Sequence, residues 1–261
     1  MCAAIADQPA AHTSATAPIS DQMYGWRARI GYTSPPLTTE IFPLEFYRIV
    51  PEGVSLVVTS LAITVRSKDE IDRSYDLSIQ ATREMAAAGC DIIVLGGVPI
   101  NVSKGHANAE QMILDLEAEL GVKVSTSNSA QQKAAKLLGA KKVVVAHPYA
   151  QVDTKRIAGY AEHSGCQTLG AMGWGNPFNQ IGRTPQNAAV KMGRELMQAH
   201  PEADTIMFPS PHWPTLGAID VLEAEFGVNV IAAHQAIVWD ALRRCGIDDK
   251  VPGCGRLFRE F

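Results

Sequence analysis

The stretch Leu116-Glu117-Ala118-Glu119-Leu120-Gly121-Val122 returns as Leu222-Glu223-Ala224-Glu225-Phe226-Gly227-Val228, 106 residues further along the same chain. The correspondence continues past the motif, pairing Val124 with Val230, Asn128 with His234 and Ala130 with Ala236. Upstream, Arg83-Glu84-Met85 leading to Cys90-Asp91-Ile92-Ile93 echoes Arg194-Glu195-Leu196 leading to Ala203-Asp204-Thr205-Ile206, with two extra residues between. Earlier still, 29–36 resembles 143–149. A unit of this length is half a molecule, since solenoid repeats run to about 20–50 residues. Two similar halves that face each other make one cleft between them, and a functional site is expected there.

Each half alternates short apolar runs with longer helical patterns. Strands are expected at 29–33, 54–61, 91–95 and 122–126, and again at 142–146, 166–169, 205–208 and 228–232, rich in β-branched residues and closed by Gly, Ser or Pro. Helices are expected at 67–88, 106–120, 130–138, 153–163, 185–200, 216–226 and 235–244. Ser67 with Glu70 three residues on has the form of a capping box, and Gly89 sits where that helix should stop. Such alternation implies an α/β fold of two pseudo-symmetric lobes, each a parallel sheet flanked by helices, with the active site in the cleft between them. The division expected is a tail over 1–26, a first lobe over 27–127 completed by 235–261, and a second lobe over 128–234. In the repeat, the helix after Asn128 opens the second half, so the last helix and tail should return to the first.

Ligands of parallel sheets collect beyond the carboxyl ends of the strands. Applied to both halves, that rule selects Ser34-Pro35-Pro36, Gly96-Gly97-Val98-Pro99, Ser127-Asn128, His147-Pro148-Tyr149, Ser210-Pro211-His212-Trp213 and His234-Gln235.

With 46% hydrophobic and 19% charged residues in 261, the chain can bury a sizeable core. A net charge of −4 without a basic face argues against nucleic acid as a partner. No run approaches the roughly 18 apolar residues of a membrane span. The five cysteines (Cys2, Cys90, Cys166, Cys245, Cys254) are odd in number and lack metal-type spacing, as expected of reduced thiols in a cytoplasmic protein. Residues 1–20, rich in Ala, Ser, Thr and Pro, read as a disordered tail. A homo-oligomer remains open.

At its strand-end loops the chain resembles the Asp/Glu racemase superfamily, in particular the branch of arylmalonate decarboxylases and maleate cis–trans isomerases. The likeness covers roughly 27–261. It is carried by Ile30-Gly31 running into Pro35-Pro36, by Asp91 to Gly97, by Gly121-Val122, by Tyr149, and most specifically by Gly253-Cys254-Gly255-Arg256-Leu257-Phe258. The resemblance implies two flavodoxin-like lobes with a small carboxylate bound between them, no cofactor, and one or two cysteines that move protons or attack carbon. A thiol suits that task because its pKa near 8.5 is easily drawn toward neutrality. The two cysteine positions match Gly97 and Ser210, so neither thiol is present. The resemblance also matches Tyr149 to a tyrosine that helps to bind the carboxylate.

Three chemistries fit these residues. In the first, Tyr149 or His212 donates the proton in a decarboxylation or double-bond isomerisation of a small diacid, with Ser210 at the reacting carbon. Gly97, Val98, Ser34, Pro36, Asn128, His234 and His147 would then bind substrate or complete the wall. In the second, Ser210 is activated by a histidine and attacks an ester, amide or lactone. In the third, His147, His212 and His234 hold a divalent metal. A carboxylate-binding protein without catalysis is the non-enzyme alternative.

Each residue also has a plainer role. Ser210 between prolines can simply shape a turn, each histidine can pair with the backbone, and Gly96-Gly97 can serve turn geometry alone. Thr38, like Ser34, is placed to meet a carboxylate, while His106 more simply belongs to a solvated loop. Trp174-Gly175-Asn176-Pro177 reads as part of a lid. His12, His163 and His200 read as tail or surface, Cys90, Cys166 and Cys245 as buried small residues, and Trp26 and Trp239 as core or interface.

Overall fold

Two four-stranded parallel sheets with the same strand order carry the chain. The structure, a computed structural model, describes residues 21–37 and 39–261, apart from the side chains of His106, Ala107 and Val152. The expectations for residues 1–20, including Cys2 and His12, and those for Thr38 and the His106 side chain lie outside the described residues. The first sheet runs β2-β1-β3-β4, from β1 (Ala28–Pro36), β2 (Val54–Ile63), β3 (Ile92–Leu95) and β4 (Lys123–Thr126). The second runs β6-β5-β7-β8, from β5 (Lys142–Tyr149), β6 (Gln167–Asn176), β7 (Thr205–Phe208) and β8 (Asn229–Ala232). Shifting every index by four turns one order into the other, as the internal repeat requires. All eight strands begin within two residues of their expected starts. β1, β2, β5 and β6 run further at their carboxyl ends, toward the cleft.

The crossovers are helical. The first half holds α1 (Ile41–Ile49), α2 (Lys68–Ala87), the single turn α3 (Val98–Asn101) and α4 (His106–Leu120), followed by α5 (Ser127–Leu138). The second holds α6 (Thr154–His163), α7 (Ala188–Ala199) and α8 (Leu216–Phe226), followed by α9 (Ala233–Arg244) and α10 (Gly255–Glu260). Short 3-10 segments occupy Gln151–Asp153 and Phe178–Arg183. The Ser67–Glu70 capping box forms as expected, and Gly89 follows α2 with φ +80°.

Helix α1 was not expected, because Pro43 interrupts its pattern. The proline falls in the first turn, where a backbone N–H has no intrahelical acceptor, so nothing is lost. Ile41, Phe42, Glu45, Phe46 and Ile49 form its buried face.

Helices α5 and α9 begin earlier than expected, directly from their strands, and they lie between the two sheets. One large apolar core joins the inner faces of both, running from Ile30, Phe42 and Ile92 through Ala134 and Trp239 to Val145 and Ile231. Smaller cores cover the outer faces, around Met85, Ile93 and Leu116 in the first half and around Leu196, Ile206 and Leu222 in the second. Helix α9 packs on α1, β3 and β4 as well as on β8. Arg256 and Arg259 of α10 bind Glu223, and the Gly255 N–H donates to Asp220, so this helix rests on α8 of the second half. Buried Glu223 and partly exposed Asp220 of α8 together accept the Gly255 and Arg256 N–H groups and the Arg259 guanidinium.

One expectation is corrected. Trp174, Gly175 and Asn176 are not a lid: they continue β6, with Asn176 paired to Tyr149 across the sheet. Trp26 is half exposed beside Gly53, whereas Trp239 is buried. Cys90, Cys166 and Cys254 are buried and Cys245 partly so. No helix among the described residues is long and apolar enough to cross a membrane.

Candidate active site between the sheets

The carboxyl ends of β1, β2, β3, β5 and β7 converge on one cleft. Its walls are mostly apolar. Pro35, Ile63, Ile71, Val98, Pro99 and Ile100 come from the first half, and Ile157, Phe178, Pro209 and Pro211 from the second. The polar groups set into these walls are Arg66, Ser127, Tyr149, Tyr160 and His212, with Gly97 between them.

Tyr149 and Ser210 form the central polar pair. β5 ends at Tyr149, and its hydroxyl donates to Ser210 Oγ at 2.9 Å. Both residues are buried. The Tyr149 ring stacks between Phe178, at 6.0 Å and 22°, and His147, at 5.7 Å and 30°. The Arg66 guanidinium lies 4.2 Å above it. Burial pushes the Tyr149 hydroxyl above its ordinary pKa, while Arg66 and the Ser210 contact pull it back down. The result is a tyrosine whose anion, when formed, faces a cation.

His212 occupies the wall beside them. Its ring nitrogens face Tyr32 Oη and Thr39 Oγ1, each at 3.4 Å, and only its backbone N–H approaches Ser210 Oγ, at 3.5 Å. Burial, reinforced by His234, presses the imidazole down to about 3. It is therefore neutral at working pH and holds no proton to donate as an imidazolium.

Gly97 opens α3 with φ +83°, and a Cβ there would stand 2.6 Å from Pro35 Cγ. Backbone conformation and space both call for glycine. Val98 lines the cavity directly after it.

The other expected residues sit elsewhere. His234 does not line the cleft. Its Nε2 lies 2.8 Å from Glu45 Oε2 and its Nδ1 3.2 Å from Thr215 Oγ1, because the buried carboxylate of α1 needs a partner. His147 is buried behind Tyr149 with Nε2 3.1 Å from Thr154 Oγ1, and burial lowers it to about 4. Asn128 faces a smaller cavity behind the cleft, with Gln131 and Val145, and the preceding Ser127 takes the cleft position instead. Ser34 is buried outside the cleft lining, and Pro36 offers its carbonyl to Ser60 at 2.8 Å while Pro35 forms the wall. His147, His212 and His234 are not brought together. Among the described residues, no group of three or more His, Cys, Asp or Glu is placed to hold a metal ion.

Ser127, one of the strand-end residues selected from the sequence, opens α5 with its hydroxyl buried. Two polar residues of the cleft, Arg66 and Tyr160, escaped sequence reading. Arg66 lies in the loop between β2 and α2, a strand end that the apolar pattern conceals because β2 runs on past Leu61 to Ile63. Its only sequence signal is a lone cation just after a strand.

Two parallel α/β lobes that share one strand-end cleft, lined by Tyr149 with the buried Ser210 as its hydrogen-bond partner, define a cleft enzyme of the racemase–decarboxylase type. The chain belongs to the arylmalonate decarboxylase family, whose profile matches residues 30–258. It is 26% identical over 237 residues to arylmalonate decarboxylase of Bordetella bronchiseptica, covering 88% of this chain and 96% of that protein. To maleate isomerase of Geobacillus stearothermophilus it is 23% identical, over 73% of this chain and 78% of that one. A double mutant of arylmalonate decarboxylase in its liganded form superposes with a TM-score of 0.81 at 23% identity, covering 90% of this chain and all (100%) of that one. A Nocardia farcinica maleate cis–trans isomerase mutant with a covalently bound succinylcysteine intermediate does so at 0.77 and 21%, over 90% and 99%.

Proposed function

We propose that the protein decarboxylates a small malonate-type diacid carrying an apolar substituent, with Ser210 and Tyr149 delivering the proton. The observation that supports this reading is the contrast within the cleft, where mostly apolar walls surround the Tyr149 hydroxyl and its buried hydrogen-bond partner Ser210. A carboxylate pressed against Ile, Val and Pro side chains is destabilised as an anion, and it loses that charge on leaving as carbon dioxide. The electrons of the broken C–C bond pass into the remaining carboxylate as an enediolate. Its carbon then takes the Ser210 proton, Ser210 takes the proton of Tyr149 along their hydrogen bond, and solvent restores Tyr149. Arg66 above the ring offsets the transient phenolate. The sequence calls on no cofactor.

Isomerisation is the weaker reading. The related isomerase captured as a succinylcysteine adduct has a thiol attached to its substrate. Here Cys90, Cys166, Cys245 and Cys254 all lie outside the cleft lining, and a serine hydroxyl adds poorly to a carbon–carbon double bond. Hydrolysis through Ser210 lacks its base, since neither His212 ring nitrogen reaches Oγ.

The test is incubation of the purified protein with phenylmalonate, methylphenylmalonate and maleate, followed by proton NMR. Release of the monoacid from the malonates, with deuterium at the α-carbon in heavy water and maleate unchanged, is expected. Fumarate formed from maleate without malonate turnover would overturn the proposal.

A further inference from the structure

The loop that carries Arg66 is built with unusual care for a surface connection. Glu70 accepts from the Thr64 hydroxyl at 2.6 Å and from the N–H groups of Val65 at 3.0 Å and Ser67 at 3.3 Å. These contacts, the Thr64 hydroxyl foremost, hold its carboxyl at about 2, so the staple stays ionised over the working pH range. The staple holds Arg66 itself at φ +59°, a left-handed conformation that a branched-out side chain adopts only at a cost of about 1 kcal/mol or more.

The side chain so presented crosses to the other half of the molecule. Its Nη2 pairs with Asp153, and its guanidinium plane lies 4.2 Å from the Tyr149 ring centroid and 5.0 Å from that of Phe178. Its side chain is 11% exposed, and Nε is buried without a protein acceptor. A buried guanidinium N–H left unmade is expensive, which asks what it is kept for. Of the side chains that line the cleft, Arg66 alone carries a fixed positive charge.

We propose that Arg66 is the anion-binding, specificity-determining residue of the cleft, its Nε–H donating to the carboxylate that the substrate retains. This rests on the decarboxylase reading for the identity of the anion, but not for its binding. The assignment to the retained group follows from charge. A cation beside the departing carboxylate would hold it back, whereas the retained one gains charge as the enediolate forms, so its bond to Arg66 strengthens toward the transition state. Arg66 covers the ring of Tyr149, whose hydroxyl donates to Ser210, so an anion held at Arg66 would lie beside the proton path. The substrate class follows: a diacid with one carboxylate on Arg66, the other against the apolar wall, and an apolar substituent in the remaining space. Asp153 tempers the cation and competes with the ligand for it.

The experiment is calorimetric titration with phenylacetate, a non-reacting monoanion, and with phenylacetamide, its neutral counterpart. Arg66→Met should lower phenylacetate affinity about 10-fold or more, as for a lost charge-assisted hydrogen bond, and leave phenylacetamide unchanged. Asp153→Asn should raise phenylacetate affinity about 5-fold by removing the competing charge. An unchanged ratio of the two ligands in Arg66→Met, or a weaker phenylacetate complex in Asp153→Asn, overturns the proposal. Should circular dichroism show that Arg66→Met does not fold, the sign of the Asp153→Asn effect decides alone. A wild-type protein that selects phenylacetate through Arg66 yet turns over no malonate would sink the decarboxylase reading and leave this one standing.

Discussion

Glu45 Oε2 of α1 lies 2.8 Å from His234 Nε2 of α9, inside the molecule and between its two halves. The same carboxylate accepts the N–H groups of Leu216 and Thr215 at 3.2 and 3.4 Å, at the start of α8. Burial raises its pKa, but His234 and those N–H donors outweigh burial and leave it below the ordinary value. A helix N-terminus is a favourable place for such an anion. Glu45→Ala strands His234 and two backbone donors, and is expected to cost about 3 kcal/mol of stability. Urea denaturation reads this directly; a loss below about 1 kcal/mol would show that the pair contributes little.

Tyr149→Phe removes one hydroxyl and keeps the stacked ring. If Tyr149 refills Ser210 with its proton, kcat on phenylmalonate drops by about 100-fold or more, within the range of general acid catalysis. The melting temperature should move little. Equal activity of the variant and the parent would remove Tyr149 from the proton path.

Ser210→Cys places a thiol where the hydroxyl now receives the Tyr149 bond. A thiol, with a pKa near 8.5, gives up its proton far more readily than an alcohol. The variant is expected to decarboxylate about 10-fold faster or more, with a new fall in rate on the alkaline side as the thiol ionises. A slower enzyme with an unaltered pH profile would mean that residue 210 is not the donor.

His212 and His147 are held at about 3 and about 4, both by burial. Unfolded, each titrates near 6.5, so between that value and its folded pKa the unfolded chain binds the extra proton. Stability is therefore full above pH 6.5 and falls on acidification, by about 1.4 kcal/mol per pH unit for each histidine. Folding stability of the parent and of His212→Gln, compared at pH 7.5, 6 and 5, should show a shallower acid loss in the variant. Parallel curves would mean that His212 does not titrate on unfolding.

The sheets and most helices were legible because apolar runs and capping residues are local signals. The pair Leu116–Val122 and Leu222–Val228 exposed the doubling, and Ser67 with Glu70 marked the start of α2. Helix α1 was hidden by Pro43, which breaks a periodicity count although it does no harm in a first turn. At the cleft, strand ends located Gly97, Tyr149 and His212. They misled at His234, since a residue's position at a strand end says nothing of which way its side chain turns when a buried carboxylate lies on the other side. Arg66 was missed for a related reason: the length of β2 and the left-handed turn that aims the side chain depend on Glu70 and on Asp153 from the other half.

The core that joins both sheets through α5 and α9 has a consequence for how the chain can be divided. A fragment ending near residue 139 would carry α5 but lack α9, which covers α1, β3 and β4; the complementary fragment would carry α9 but lack the surface it covers. Each piece keeps its smaller outer core but loses the large inner one that joins the sheets. Each should remain a loose, aggregation-prone chain by itself, and the two should assemble into one folded particle when mixed. The ancestor implied by the repeat would then have been an obligate pair of interlocked chains, with its cleft created only by association.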